Sequence, residues 1–381
     1  MAIYFVLTTL CWLPLLIGRR PSNTQTALIF LGSAFFAGFR YETGYDWPVY
    51  TAFYETLTSV GNLVVFSTPA FVLWVNVFKA LKIDYLNFQL SISFILSLFL
   101  YLSLKSTVRG ATYVAYLFYI SVIDLYLIHH FSILRQGIAL GLVWLGIRFY
   151  CREQKFWYIF IFLAAMFQVT ALCMFLGVAL SWVINKSRLT LSLILFLCAL
   201  NFLFNLKGLS GFISFISLNS EWVNLYLGRD TFNASTLYKI YIVAWVVIAV
   251  RLVYWAQFHK FILWPDFSRQ RVVGISFAAP ILYLLTYDMP TVSSRIPAFF
   301  GFGIVVLSAE FLLSRRLQNR VLFAYAGFGL SAALLYRFLS DPLSLVYVPY
   351  QTWLFNFNVE NSTGLARTQT LIENLNSLWG L

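Results

Sequence analysis

Residues 84–104, DYLNFQLSISFILSLFLYLSL, carry one charged side chain, Asp84, at the very start of the stretch. An apolar run of this length is typical of a helix that crosses the hydrocarbon core of a bilayer. Similar runs recur along the 381-residue chain, which is 61% hydrophobic and 10% charged, whereas soluble domains are about 25% charged. The sequence therefore predicts an all-α, polytopic integral membrane protein.

The composition also excludes several classes of protein. Near-continuous apolar runs do not alternate as barrel strands do, and spanning segments leave no room for a nucleotide-binding sheet fold. The net charge of +12 comes mostly from short loops between apolar runs, where basic residues set orientation, so we expect no nucleic-acid partner. The four cysteines form no Cys-x-x-Cys pair, and metal and nucleotide motifs are absent, so we expect no disulfide, metal or cofactor.

The apolar runs predict about 12 transmembrane helices (roughly 10–14). Single crossings are expected at 2–18, 26–39, 84–104, 111–128, 133–150, 189–206, 237–257, 271–287, 297–313 and 320–338. The run 157–184 predicts a hairpin of two short crossings around Gln168. Residues 69–80 are then a re-entrant or interfacial helix, because this keeps the basic loops together on the cytoplasmic side. We expect one transmembrane domain, 1–358, and a polar C-terminal tail, 359–381.

The densest group of candidate site residues lies at the predicted outer end of the second span, in residues 39–50, FRYETGYDWPVY. It contains Arg40, the carboxylates Glu42 and Asp46, and the tyrosines Tyr45 and Tyr50. Ionisable groups at membrane depth are costly and therefore mark functional sites. The alternative interpretation is an ordinary interfacial belt of aromatic and basic side chains.

Two further arginines begin predicted spans on the outer side. Arg135 and Gln136 lie near a helix N-terminus, where free N–H groups favour an anion, and Arg295 lies two residues before Pro297. The alternative for each arginine is a side chain that snorkels to the interface. Three outer arginines oppose the positive-inside trend, and guanidinium groups suit phosphate, so the pattern indicates a bound anion.

The pair His129-His130 precedes Arg135 and is a weaker candidate for a base, because histidines at a helix end are often only interfacial. We place His130 among the residues expected to contact the substrate.

A series of short motifs carries a resemblance to a known family. In chain order they are Arg40…Gly44-Tyr45-Asp46…Tyr50…Phe53, Pro69-Ala-Phe71, Arg135-Gln136-Gly137-Ile138-Ala139, Ala165-Met-Phe167-Gln168-Val-Thr-Ala171 and Ser294-Arg295-Ile296. Over about residues 25–350 the sequence resembles the EpsG-like branch of the Wzy-type polymerases, which extend O-antigen, capsule or exopolysaccharide chains. The family commonly has histidine where this chain has Gln168, and glutamine cannot act as a base.

The resemblance implies a metal-independent membrane glycosyltransferase with a GT-C-like fold in the bacterial inner membrane, active on the periplasmic face. Its donor and acceptor would be undecaprenyl-diphosphate-linked oligosaccharides, the growing chain passing to the non-reducing end of the incoming unit. Bilayer lipid and a chain-length regulator protein are the further partners implied. On this hypothesis Arg40, Arg135 and Arg295 hold the diphosphate, and Asp46 or Glu42 deprotonates the acceptor. Tyr45, Tyr50, Gln136, Gln168 and His130 complete the substrate contacts.

Other functions remain open at this point. A flippase for lipid-linked oligosaccharide would use the same arginines to hold a diphosphate in transit, but it needs polar residues spread through the spans. A membrane acyltransferase would need a clear catalytic histidine. A purely structural subunit is the last alternative.

Overall fold

The computed structural model describes residues 1–56, 68–186, 198, 236–286, 295–340, 342–352, 366 and 369–370. In those ranges the regular elements are helices, with one isolated β-bridge between Arg40 and Thr352. The α-helices are α1 (Ala2–Leu16), α2 (Asn23–Gly38), α3 (Trp47–Thr56), α4 (Pro69–Ala80), α5 (Tyr85–Leu104), α6 (Ala111–Ser121), α7 (Ile123–Leu127), α8 (Leu134–Cys151), α9 (Trp157–Phe167), α10 (Met174–Lys186), α11 (Thr236–Phe258), α12 (Arg269–Thr286), α13 (Gly301–Leu313) and α14 (Leu317–Ser340). A π-helical turn covers Ile128–Ser132, and 3-10 turns cover Val169–Cys173, Pro297–Phe300 and Pro342–Tyr347. The predicted all-α class is confirmed for this part of the chain.

The spanning capacity of these helices differs from one to the next. Among the described residues, α5 and α14 are long and apolar enough to cross a bilayer alone. Helix α6 and Leu125–Ser132 are long and apolar enough only when taken together, and a bend of 87° separates them. Other apolar helical segments among the described residues, such as Ala2–Leu16 and Trp157–Phe167, have 10–17 residues. The predicted span 189–206 lies outside the described residues except for residue 198. The count of about 12 crossings therefore stays a prediction.

The loops predicted to be cytoplasmic meet at one end of the bundle. Arg148, near the C-terminus of α8, donates hydrogen bonds to the carbonyls of Ser103 (2.9 Å) and Lys105 (2.5 Å). Arg320, in the first turn of α14, donates to the carbonyl of Gly18 just after α1 (3.1 Å). We call this the basic end. The N-termini of α1 and α8 lie at the opposite end, which we call the site end.

The run 157–184 forms the predicted hairpin. Gln168 is extended (φ −154°, ψ 111°) and ends α9, and the rings of Trp157 and Phe175 lie 5.7 Å apart. A continuous helix would separate two residues at this spacing by about 27 Å, so the chain reverses at Gln168. Ser181 of α10 hydrogen-bonds with Tyr150 (2.6 Å). The hairpin therefore begins and ends at the basic end, and its tip at Gln168 points away from that end.

Helix α4 remains at the site end, as the interpretation of 69–80 requires. Its 12 residues extend about 18 Å, which is short of a hydrocarbon core of about 30 Å. Thr68, just before the helix, accepts a hydrogen bond from Arg135 (3.4 Å). Lys79, in its last turn, donates to the carbonyl of Glu55 in α3 (3.2 Å). Both ends of α4 therefore contact elements of the site end.

The segment 342–352 returns to the loop that follows α2. Tyr41 donates its N–H to the carbonyl of Gln351 (2.9 Å), and Gly44 donates to that of Val346 (3.0 Å). This segment therefore packs against the helices and braces the loop 39–46. Apart from residues 366 and 369–370, the predicted tail 359–381 lies outside the described residues.

Candidate functional site

A cavity of about 200 Å³ lies at the site end. Two guanidinium groups, one carboxylate and one phenol supply its polar lining, and aliphatic and aromatic side chains complete it: Asp46, Val49, Tyr50, Phe53, Phe71, Arg135 and Arg295. Asp46 immediately precedes α3, which carries Val49, Tyr50 and Phe53. Phe71 belongs to α4, Arg135 to the first turn of α8, and Arg295 to the segment just before the 3-10 turn Pro297–Phe300. Four segments far apart in sequence therefore converge on one polar cavity.

The backbone at Gly44 places Asp46. Gly44 has φ +112°, and a Cβ at this position would lie 2.2 Å from the carbonyl oxygen of Phe131. Any other residue would therefore force the loop away from the π-helical turn. The next residue, Tyr45, donates its N–H to Ser132 Oγ (3.0 Å). The loop is held on both sides immediately before the Asp46 carboxylate.

The segment 342–352 supports this arrangement. Ser132 Oγ and the Tyr347 hydroxyl are 2.5 Å apart, and the ring of Tyr347 meets that of Tyr45 edge-on at 5.3 Å. Tyr4 of α1 donates its hydroxyl to the Tyr347 carbonyl (2.8 Å). Tyr347 thus connects the first helix, the π-helical turn and the loop that carries Asp46. Sequence reasoning gave no role to Ser132 or Tyr347, because this network exists only once distant segments meet.

Arg135 enters the cavity from the first turn of α8. Its guanidinium donates to Thr68 Oγ1 (3.4 Å), and its backbone N–H donates to the hydroxyl of Tyr50 (3.4 Å). Gly137, in the same turn, allows close packing, because a Cβ there would lie 2.4 Å from the His129 carbonyl oxygen. The predicted proximity of Arg135 to a helix N-terminus is what the structure shows.

Arg295 is held through its backbone. The side-chain amide of Gln136 donates to the Arg295 carbonyl at 2.8 Å. Gln136 is buried, with 2% of its surface exposed, and it is not part of the cavity lining. The structure thus gives this residue a contact to Arg295 in place of the predicted contact to substrate. Ser293 and Ser294, which precede Arg295, lie outside the described residues.

The electrostatics of the cavity centre on Asp46. Burial raises the pKa of the Asp46 carboxyl above its ordinary value, while the charges of Arg295 and Arg135 act to lower it. Removal of water favours the protonated acid, and neighbouring cations favour the carboxylate. Two cations face one carboxylate, so the cavity keeps an excess of positive charge. It can therefore bind an anion beside a group suited to accept a proton.

Arg40 corrects the prediction of three converging arginines. Its side chain is completely buried and donates to the carbonyls of Ala37 (2.5 Å) and Thr43 (3.2 Å). Its guanidinium also lies over the Phe131 ring, 5.4 Å from the centroid. Ala37 is in the last turn of α2, where carbonyl groups lack helical partners and attract a cation. Arg40 closes this helix and is not part of the cavity lining.

Four other predicted site residues also lie outside the cavity lining. Glu42 has φ +46° and bonds with the side chain of Tyr41. His130 is completely buried, with its ring 4.8 Å from that of Tyr126. Gln168 is at the tip of the α9–α10 hairpin, and Tyr45 packs against the segment 342–352. The predicted roles of these residues at the substrate therefore have no support from the geometry.

The remaining predictions agree with the geometry of the lining. Asp46, Tyr50, Arg135 and Arg295 meet in one cavity, and Phe53 and Phe71 provide ring faces in it. Among the residues that the structure describes, no three His, Cys, Asp or Glu side chains group closely enough to hold a metal ion. Of the described residues that line the cavity, Arg135 and Arg295 are the basic ones.

Comparison with known proteins identifies a family. The model of the EpsG family matches residues 23–352, which is most of the chain. The match starts at Asn23, the first residue of α2, and ends at Thr352, which forms the β-bridge with Arg40. It therefore includes every residue that lines the cavity. No curated protein and no solved structure matches the chain.

Proposed function

The chain belongs to the EpsG family, and from that premise we propose that it is a polysaccharide polymerase, a membrane glycosyltransferase that joins lipid-diphosphate-linked oligosaccharide units. The observation that carries the proposal is the cavity in which Asp46 faces Arg135 and Arg295. Such a reaction needs a base at one atom and a cationic site for the departing diphosphate at another. This cavity offers both.

The reaction follows from these groups. The hydroxyl oxygen at the non-reducing end of the acceptor attacks the anomeric carbon of the donor chain, and its proton passes to the Asp46 carboxylate. A glycosidic bond forms while the bond between the anomeric carbon and the diphosphate oxygen breaks. The leaving lipid diphosphate keeps the electron pair, and Arg135 and Arg295 stabilise its added charge. The growing chain is thereby transferred to the incoming unit.

The aromatic part of the lining suits a sugar. Phe71 is buried and Phe53 is half-buried, and both rings border the cavity beside Tyr50. Sugar rings present apolar C–H faces that pack against aromatic rings, while their hydroxyls bond to charged groups. The residues that we propose for sugar stacking are therefore Tyr50, Phe53 and Phe71.

The orientation of the site follows from the two ends of the bundle. The basic loops gather at the end opposite the cavity, and such loops remain in the cytoplasm. We therefore place the cavity at the periplasmic face. A bacterial inner membrane and undecaprenyl diphosphate as the lipid carrier are what the resemblance to the family implies. A chain-length regulator protein is the partner expected at this face.

Deletion of the gene tests the proposal. The polymerase predicts that the null strain carries single repeat units on its surface and loses the ladder of longer chains on a gel. Wild type restores the ladder, and Arg135→Ala and Arg295→Ala do not. Arg152→Ala, at the basic end, serves as the control and restores it. A null strain in which no repeat unit reaches the outer face would contradict the polymerase and support the flippase.

Purified protein tests the chemistry directly. We expect the protein in lipid nanodiscs to convert lipid-diphosphate-linked units into polymer at the same rate with and without EDTA, because the arginines supply the positive charge. A rate abolished by EDTA and restored by a divalent cation would refute the metal-independent mechanism.

A further inference from the structure

A second opening lies beside the first two helices. This groove of about 400 Å³ is bordered by α1, α2, α6 and α14, and by residues 126 and 127 of α7. Along α1 it extends from Tyr4 to Pro14, a distance of about 15 Å, or about half the hydrocarbon thickness of a bilayer. It shares no lining residue with the cavity of Asp46.

The groove exists because two consecutive helices lean apart. Helix α1 packs against α14, whereas α2 packs against α5, and both also touch α6. Leu10 of α1 and Leu28 of α2 border the gap and are 57% and 62% exposed. In a chain that spans a membrane, such a gap opens sideways toward the lipid tails.

The hydroxyl groups of Tyr4 and Thr8 in α1 and of Tyr113 in α6 are already bonded within the protein. Tyr4 donates to the Tyr347 carbonyl (2.8 Å), Thr8 donates to the Tyr4 carbonyl (2.8 Å), and Tyr113 donates to the Cys11 carbonyl (2.5 Å).

The hydroxyls of α2 and α7 on the groove wall, and the indole of Trp12 in α1, are bonded in the same way. The Tyr126 hydroxyl donates to the Ser33 carbonyl (2.8 Å), and Ser33 Oγ donates to the Phe30 carbonyl (2.9 Å). The indole of Trp12 donates to Ser121 Oγ (3.1 Å). These hydroxyl and indole groups therefore already have partners within the protein, and a hydrocarbon chain beside them takes no hydrogen bond away.

A layer of aromatic rings separates the groove from the cavity. Phe36, on the groove wall, meets Phe131 at 5.6 Å, and Phe131 meets Tyr347 at 6.2 Å. On the other side of Tyr347, Tyr45 precedes Asp46. The direct line from the cavity of Arg135 and Arg295 to the groove therefore passes through packed aromatic rings.

Polymerisation requires two carriers, and this identifies the occupant. The donor is cut at its diphosphate, so its diphosphate must be in the cavity. The acceptor reacts at its non-reducing end, so its own lipid is one repeat unit away from the cavity. We propose that the groove between α1 and α2 binds the polyprenyl tail of the acceptor. This inference rests on the function proposed above.

Two glycines allow the groove to be filled without disturbing the fold. A Cβ added at Gly32, on the groove wall in α2, or at Gly329, in α14 but outside the groove, meets no atom within 4 Å. Both glycines are in helices and exposed. Gly32→Phe therefore fills the groove, and Gly329→Phe controls for the change of residue.

The binding experiment uses undecaprenyl phosphate that carries a diazirine on its tail, with the full-length protein in nanodiscs. We expect irradiation to label residues 4–14 and 28–36, with labelling about tenfold weaker in Gly32→Phe and unchanged in Gly329→Phe. Labelling that Gly32→Phe leaves unchanged would overturn the proposal. So would equal labelling by a diazirine-bearing phospholipid that the carrier does not displace. A disulfide-linked dimer of Gly32→Cys would overturn it by placing a second copy in the groove.

Kinetics then tests the acceptor assignment. In Gly32→Phe we expect the KM for the acceptor to rise about tenfold while the KM for the donor remains the same. A rise in the donor KM alone would refute the assignment of the groove to the acceptor. If wild type labels in the groove but makes no polymer, the proposed function fails while the lipid site stands, so the two failures are distinguishable.

Discussion

The side-chain amide of Gln136 donates a hydrogen bond to the backbone carbonyl of Arg295 at 2.8 Å, across 159 residues of sequence. This contact fastens the segment that carries one cavity arginine to the helix that carries the other. Gln136 is therefore a positioning residue. A displacement of about 1 Å at a reacting centre lowers rates by about a hundredfold.

The first prediction concerns this contact. Gln136→Leu keeps the volume but removes the donor, so we expect kcat to fall by about ten- to a hundredfold while thermal unfolding changes little. Gln154→Leu, near the basic end, is the control and should behave as wild type. Steady-state kinetics with purified protein makes the measurement. Wild-type kcat in Gln136→Leu would show that Arg295 does not depend on this contact.

The second prediction separates the two carboxylates of the loop 39–46. Asp46 lines the cavity and Glu42 does not, so Asp46→Asn should lower the rate by about 10²–10⁴, whereas Glu42→Gln should leave it near wild type. The two substitutions are chemically equivalent and four residues apart. A ladder assay in the complemented null strain compares them. Full activity in Asp46→Asn would remove this residue from the role of base.

The third prediction is a pH dependence. A base must be deprotonated, so activity is lost as pH falls through the pKa of Asp46, which burial raises. Arg295 lowers that pKa, so Arg295→Ala should raise it further and move the acid limb of the rate profile to higher pH. Arg295→Lys keeps a positive charge and should shift the limb less. The profile of kcat/KM against pH tests this, and a limb that does not move in Arg295→Ala would contradict it.

The fourth prediction concerns the turn before Asp46. Gly44→Ala adds a Cβ at φ +112° and within 2.2 Å of a carbonyl oxygen, so we expect it to destabilise the fold by about 3 kcal/mol or more. Gly329→Ala, at an open helical position, should be neutral or stabilising by up to about 1 kcal/mol. Thermal unfolding in detergent compares them. An unchanged midpoint in Gly44→Ala would refute the close approach to Phe131.

The fifth prediction tests the structural role of Arg40. Arg40→Met leaves the buried carbonyls of Ala37 and Thr43 without their donor, which should cost about 2 kcal/mol or more. We expect a lower unfolding temperature, with the donor KM of the folded protein near wild type. Arg295→Ala should give the opposite result, normal stability with a raised donor KM. Wild-type stability together with a raised donor KM in Arg40→Met would restore Arg40 to the substrate site.

Local pattern accounts for much of what the sequence predicts correctly. The hairpin at Gln168 and the gathering of the basic loops at one end follow from run length and charge, because lipid forces each segment to satisfy its own backbone. The interpretation of 69–80 as a helix that does not cross stays a prediction. The charge of the basic loops also predicts that Asp46, Arg135 and Arg295 lie at the end of the bundle opposite the basic end. These features need no knowledge of which helix packs against which.

The selection among candidate side chains belongs to the tertiary structure. Arg40 and Arg295 look alike in sequence, yet one closes α2 inside the protein and the other reaches the cavity. Asp46 lines the cavity and Glu42 does not, because the close contact of Gly44 with Phe131 and the hydrogen bonds from the segment 342–352, about 300 residues later, fix the path of the loop. The sequence by itself determined a helical membrane protein with its acidic and basic candidates at one face. Only long-range packing decided which of them meet, because the direction of a side chain depends on contacts that no local pattern contains.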